Sequence, residues 1–159
     1  MVFRVGYSNS IPGPIRVLHV DDEPTDLEIT RIFLKKEAKD GFEIESVLSA
    51  EEAIEKLGSE HFDVIIADYH MPGMNGLEFL DALRKNGRYA ATPFILFTGK
   101  GSQEVAKEAL RRGADRYISK VGNPANQCGE LACAIRELVN GKKKGKEVDY
   151  YQYIVSKLK

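Results

Sequence analysis

A chain of 159 residues with 23 basic and 24 acidic side chains and a formal charge of −1 is the size of one domain with tails, long enough to bury a core. Its balanced charge excludes a nucleic-acid footprint spread over the whole chain. No apolar run approaches the roughly 20 residues of a membrane-spanning helix, and Met1-Val2-Phe3-Arg4-Val5-Gly6 is interrupted too early for the apolar centre of a signal peptide, so a cytoplasmic location without membrane attachment is expected.

Residues 1–14 close on Ile11-Pro12-Gly13-Pro14, which propagates neither a helix nor a central strand, and are expected to form an extension outside the core. Ile15–Val20 is a β-rich run stopped by Asp21-Asp22-Glu23-Pro24. Pro24 suits the first turn of a helix, with Asp22 or Glu23 near the cap and Leu27, Ile32, Phe33 and Leu34 on the apolar side. Glu43–Leu48 alternates as a second strand, and Ser49 can cap a short helix that closes at Gly58. Phe62–Ala67 is a third strand, and it delivers Asp68 to a Pro/Gly loop. Leu77, Phe79, Leu80 and Leu83 mark the next helix.

Pro93–Phe97 is a fourth strand ending at Thr98-Gly99, followed by a helix from about Ser102 to Arg112. Asp115–Ser119 is a short fifth strand leading to Lys120. Gly122-Asn123-Pro124 opens a last helix carrying Leu131, Ile135, Leu138 and Val139. That helical pattern also holds Cys128 and Cys133, which lack metal-ligand spacing and are expected as buried or half-buried thiols.

Five strands alternating with five helices predict an α/β domain, a doubly wound parallel sheet with helices on both faces. The most hydrophobic strands, beginning at Ile15, Phe62 and Pro93, are expected at its centre. The carboxyl ends of parallel strands share one edge, so Asp21, Asp22, Asp68, Thr98 and Lys120 should converge there. Carboxylates so placed repel one another unless a cation neutralises them, and hard oxygen donors in a small open site suit Mg2+. A nucleophilic carboxylate, a Mg2+, a lysine and a hydroxyl form a site that can take a phosphoryl group and stabilise the charge on its oxygens. Singly, each residue has a plainer reading: Asp21 and Asp22 as helix caps, Asp68 and Thr98 as turn residues, Lys120 as a solvated side chain, Tyr117 as strand packing. The conjunction carries the chemistry.

Val20-Asp21-Asp22-Glu23-Pro24, Asp68-Tyr69-His70-Met71-Pro72-Gly73-Met74-Asn75-Gly76, Phe97-Thr98-Gly99 and Tyr117-Ile118-Ser119-Lys120 stand in an order and spacing that resembles the receiver domain of two-component response regulators, the CheY-like family. The resemblance covers roughly residues 15–140 and implies a five-stranded flavodoxin-like sheet of strand order 2-1-3-4-5. It implies that Asp68 is the phosphoacceptor, taking a phosphoryl group from a histidine kinase or phosphotransfer protein. Mg2+ would be held directly by Asp22, Asp68 and the backbone carbonyl of His70, and through water by Asp21. Lys120 would pair with Asp68 or the phosphoryl group, and Thr98 would hydrogen-bond a phosphoryl oxygen. Thr98 and Tyr117 would form a switch that alters the surface of the fourth helix, fifth strand and fifth helix. That surface would meet a downstream effector protein or support a homodimer.

Such a domain is regulatory rather than an enzyme, apart from its own phosphotransfer and slow autodephosphorylation. The alternative is a Mg2+-dependent phosphatase acting through an aspartyl phosphate, but such enzymes typically carry an acid two residues after the nucleophile, where this chain has His70. A flavodoxin-like cofactor binder would need a phosphate-cradling loop after the first strand, and Asp21-Asp22-Glu23 would repel a phosphate there. Val121 stands where receivers commonly have proline, and Gly99 where they often have alanine. Lys100 and His70 are expected to tune the lifetime of the aspartyl phosphate. Residues 141–159 read as a basic linker, Gly141 to Lys146, and a short amphipathic segment in which Tyr150, Ile154 and Leu158 recur every fourth residue. The segment is too short for a helix-turn-helix domain, so no direct DNA binding is expected.

Overall fold

Runs that are apolar on both sides of the backbone must be covered on both sides, and in the computed structural model of this chain they are. The structure describes residues 13–99 and 101–141. The expectations placed on residues 1–12, Lys100 and residues 142–159 lie outside the described residues. Strand β1 (Ile15–Val20) is followed by α1 (Pro24–Ala38), a short 3-10 turn (Lys39–Gly41), β2 (Phe42–Val47) and α2 (Ala50–Leu57). Then come β3 (Val64–Ala67), α3 (Gly76–Lys85), β4 (Phe94–Thr98), α4 (Gln103–Arg111), β5 (Arg116–Ser119) and α5 (Pro124–Val139). The five strands form one parallel sheet in the order β2-β1-β3-β4-β5. The three runs expected at the centre are there, and every residue of β3 and β4 is buried.

Side chains alternate across the sheet, so successive residues serve two cores. Leu18, Val20, Ile65, Ala67 and Leu96 face α2, α3 and α4. Val17, Ile66, Ile95, Phe97 and Ile118 face α1 and α5. Cys128 belongs to the second core, whereas Cys133 on the same helix is exposed. Helix α1 buries Leu27, Thr30 and Leu34. Ile32, expected on the apolar side, is 42% exposed, because it stands about 140° around the helix from Leu27. His19 is fully buried among apolar side chains, its ring tilted beside Phe97. No helix of the described residues is long and apolar enough to cross a membrane.

The strand register brings the carboxyl ends level. Val20 pairs with Val47 and Ala67, Ala67 with Leu96, and Thr98 with Ser119. At the opposite edge, Arg84 closes α3 onto the starts of β4 and β5. Its guanidinium donates to the carbonyls of Thr92 (2.8 Å) and Gly113 (2.8 Å) and pairs with Asp115 at 3.4 Å. Asp115, with its side chain 1% exposed, also accepts from the amide of Phe94 at 2.9 Å. Removing one partner of a buried pair strands the other. Asp115→Ala is therefore expected to lower the unfolding free energy by about 3 kcal/mol, measured by urea denaturation. An unchanged midpoint would show that water replaces the pair at no cost.

Candidate functional site

Asp68 is placed by backbone before its side chain is considered. Its amide donates to the Val20 carbonyl at 3.0 Å, which continues the ladder one step beyond β3. The loop after it returns at once, since the Gly76 amide donates to the Tyr69 carbonyl at 2.8 Å. A Cβ on Gly76 would lie 2.3 Å from the Asp68 carbonyl oxygen, so only glycine lets α3 begin this close to the strand end. Asn75 then caps α3 by accepting from the amides of Leu77 and Glu78, and Glu78 accepts in return from the Asn75 amide, each at 2.9 Å.

Asp21 follows β1 and is fully buried. One of its oxygens accepts from the Glu23 amide at 3.0 Å, which steers the chain into α1. Lys120 follows β5, its amide held by the Thr98 carbonyl at 3.0 Å. Its ammonium lies 2.5 Å from Asp21 Oδ2, 3.0 Å from Asp68 Oδ2 and 3.0 Å from Asp26 Oδ2. Asp26 did not emerge from the sequence. A signal was present all the same: Cβ vectors tilt toward a helix N-terminus, so an acid in the first turn after a strand end points back at that end.

Carboxylate oxygens of Asp21, Asp26 and Asp68 all lie within 4.8 Å of one another, close enough to share a metal ion. Asp22, Asp26, Asp68, His70 and Lys120 line an open cavity of about 560 Å³. Asp22 accepts no hydrogen bond from the described residues and faces this space. By contrast, Asp21 and Asp68 each have both oxygens engaged, Asp68 Oδ1 accepting from the Tyr69 amide at 2.6 Å.

Charge follows from this geometry. Burial pushes the Asp21 carboxyl up to about 6, against the pull of the Lys120 hydrogen bond and charge. Burial also pulls on Lys120, but Asp21, then Asp68 and Asp26, outweigh it and raise its pKa above that of an ordinary lysine. Lys120 is therefore a fixed positive charge. His19 is held neutral, at about 3, by burial first and the Lys120 charge second. Neither ring nitrogen of His19 has a hydrogen-bond partner among the described residues.

Thr98 and Tyr117 come together, but away from the cavity. Thr98 is fully buried, and Gly99 rather than Thr98 lines the open space. The Tyr117 ring is turned inward, 6% exposed. Gly101 makes the room for it. A Cβ there would stand 2.7 Å from the Tyr117 hydroxyl and 3.1 Å from the Thr98 methyl. Gly101→Ala is expected to expel the ring from this position. With selectively labelled tyrosine, the Tyr117 ring resonances should move toward solvent-exposed values, and unchanged shifts would refute the crowding.

A family model described as the response regulator receiver domain matches residues 17–131. Among curated proteins, the transcriptional regulatory protein MalR of Bacillus subtilis (strain 168) is 36% identical over 107 residues, 67% of this chain and 44% of that protein. The response regulator Rre1 of Synechocystis sp. is 31% identical over 126 residues, 79% of this chain and 52% of that protein. The chain thus spans about half the length of these relatives. Among solved structures, a CheY-like receiver domain protein from Methanospirillum hungatei matches with a TM-score of 0.69 at 32% identity, covering 83% of this chain and 98% of that one. The chemotaxis response regulator CheY4 of Vibrio cholerae matches with a TM-score of 0.67 at 31% identity, covering 77% and 98%.

Proposed function

As this chain belongs to the response regulator receiver domain family, we propose that it is a phosphorylation-dependent signalling switch in which Asp68 accepts a phosphoryl group from a histidine kinase or phosphotransfer protein. The observation that carries the reading is the Lys120 ammonium held between Asp68 and the fully buried Asp21. A carboxylate beside a fixed cation, at the mouth of an open cavity, is poised to attack an electrophilic phosphorus. The Asp68 oxygen forms the new O–P bond, the N–P bond of the phosphohistidine breaks, and the imidazole leaves with the electron pair. Lys120 then neutralises a phosphoryl oxygen, and the Thr98 hydroxyl donates to another.

The donor set suits Mg2+, being carboxylate and carbonyl oxygens in a partly open site. Asp22, with its uncommitted carboxylate, would hold the ion directly together with Asp68 and the His70 carbonyl, while Asp21 would hold it through water. The ion supplies the positive charge that relieves the repulsion between these carboxylates and the incoming phosphoryl group. Movement of Thr98 toward the phosphoryl group reaches Tyr117 through the shared contact at Gly101. The surface of α4, β5 and α5 would change with it and would be read by an effector protein or a second copy of the chain.

On this reading the domain is regulatory, acts in the cytoplasm and makes no DNA contact of its own. The phosphatase alternative lacks its acid, since His70 stands two residues after Asp68. Incubation with phosphoramidate should add one phosphoryl group by intact mass in the presence of Mg2+. The adduct should be absent without Mg2+ and in Asp68→Asn. Rapid phosphate release without an adduct would favour the phosphatase, and neither adduct nor release would overturn the switch.

A further inference from the structure

We propose that Asp26 is a positioning residue for phosphoryl transfer: it occupies one N–H of the Lys120 ammonium while Asp68 is unmodified and yields that N–H to the incoming phosphoryl group. The inference rests on the receiver reading and deepens it. An ammonium has three donors and no acceptor. In this structure Asp21, Asp68 and Asp26 take all three, at 2.5, 3.0 and 3.0 Å. A phosphoryl oxygen entering beside Asp68 can be met by Lys120 only if one carboxylate lets go.

The three carboxylates are not equivalent in what release would cost. Asp21 is fully buried, and stranding it would leave an unpaired charge in the interior. Asp68 is the group being modified. Asp26 has its side chain 41% exposed and accepts no other hydrogen bond from the described residues, so water can replace the ammonium there. Asp26 is therefore the partner that yields. It sits in the first turn of α1, so the unmodified state ties that turn to the sheet edge through Lys120, and phosphorylation unties it.

As a competitor for Lys120, Asp26 restrains the reaction. The test uses phosphoramidate at saturating Mg2+, following the adduct on Asp68 by mass; the P–N bond breaks and ammonia leaves. Asp26→Asn should form the adduct about three- to fivefold faster than the wild type, the size of a partly exposed ion pair. Asp26→Glu should return the rate toward that of the wild type. The Mg2+ dissociation constant, titrated calorimetrically, should rise less than twofold in Asp26→Asn.

Three outcomes overturn the inference while leaving the wild-type adduct intact. A slower reaction with weakened Mg2+ binding would make Asp26 a metal ligand. An unchanged rate would show that Lys120 is not shared. Equal acceleration in Glu23→Gln, which removes a charge from the same cavity without touching Lys120, would reduce the effect to overall charge. Failure of the wild type itself to form an adduct would instead count against the receiver reading.

Discussion

One ammonium among three carboxylates, at the carboxyl edge of a parallel sheet, is the constraint on which the rest of this structure depends. Neither charge type is tolerable there alone. Asp21 is fully buried, and the acids around Lys120 hold its pKa above that of an ordinary lysine against the pull of burial. The partners come from β1, α1, β3 and β5, so the arrangement needs the whole sheet in register. A slip of one residue at β3 would send Asp68 to the other face. The chain prevents this through burial: β3 and β4 present apolar side chains to cores on both faces, and neither strand can shift without exposing one.

Rigidity and mobility are divided between the two edges of the sheet. At the amino edge, Arg84 and Asp115 bind the end of α3 to the starts of β4 and β5 through a largely buried pair and several carbonyls. At the carboxyl edge, the interactions can be exchanged. Lys120 has alternative acceptors, Asp22 faces open space, and Tyr117 fits inward only because Gly101 has no side chain. On the proposed reading, a small charge event would be felt in two directions: through Thr98 and Gly101 toward β5, and through Asp26 toward the first turn of α1. Packed elements respond to such an event by changing partners rather than by deforming continuously.

The fold and most of the site were legible in the sequence because they rest on periodicity and on the rule that parallel strands end together. The three central strands, the convergence of Asp21, Asp22, Asp68 and Lys120, the cap at Ser49 and the helix opening at Gly122-Asn123-Pro124 all follow from local patterns. What escaped notice depends on distances between segments. Asp26 looks like any acid that complements a helix dipole in a first turn. The close approach of Gly76 to Asp68, the notch at Gly101 and the Arg84–Asp115 pair join residues far apart in the chain, and no local pattern announces them. Ile32 departs from its expected place for another reason: its angular position on α1, not its hydrophobicity, decides its exposure.

The added acid also alters the demand for a cation. Asp21, Asp26 and Asp68 share a single lysine, and Asp22 lines the cavity beside them, so acids outnumber the one ammonium at this edge. On the proposed reading, a further anion would meet net repulsion there unless a divalent ion entered with it. Once the phosphoryl group is in place, water can take over the solvation of Asp26, the most exposed of the three carboxylates that hold Lys120. The same side chain that burdens the resting site is thus the one whose release costs least. On the proposed reading, an acid in this position would bias the domain toward its unmodified state without preventing the modified one.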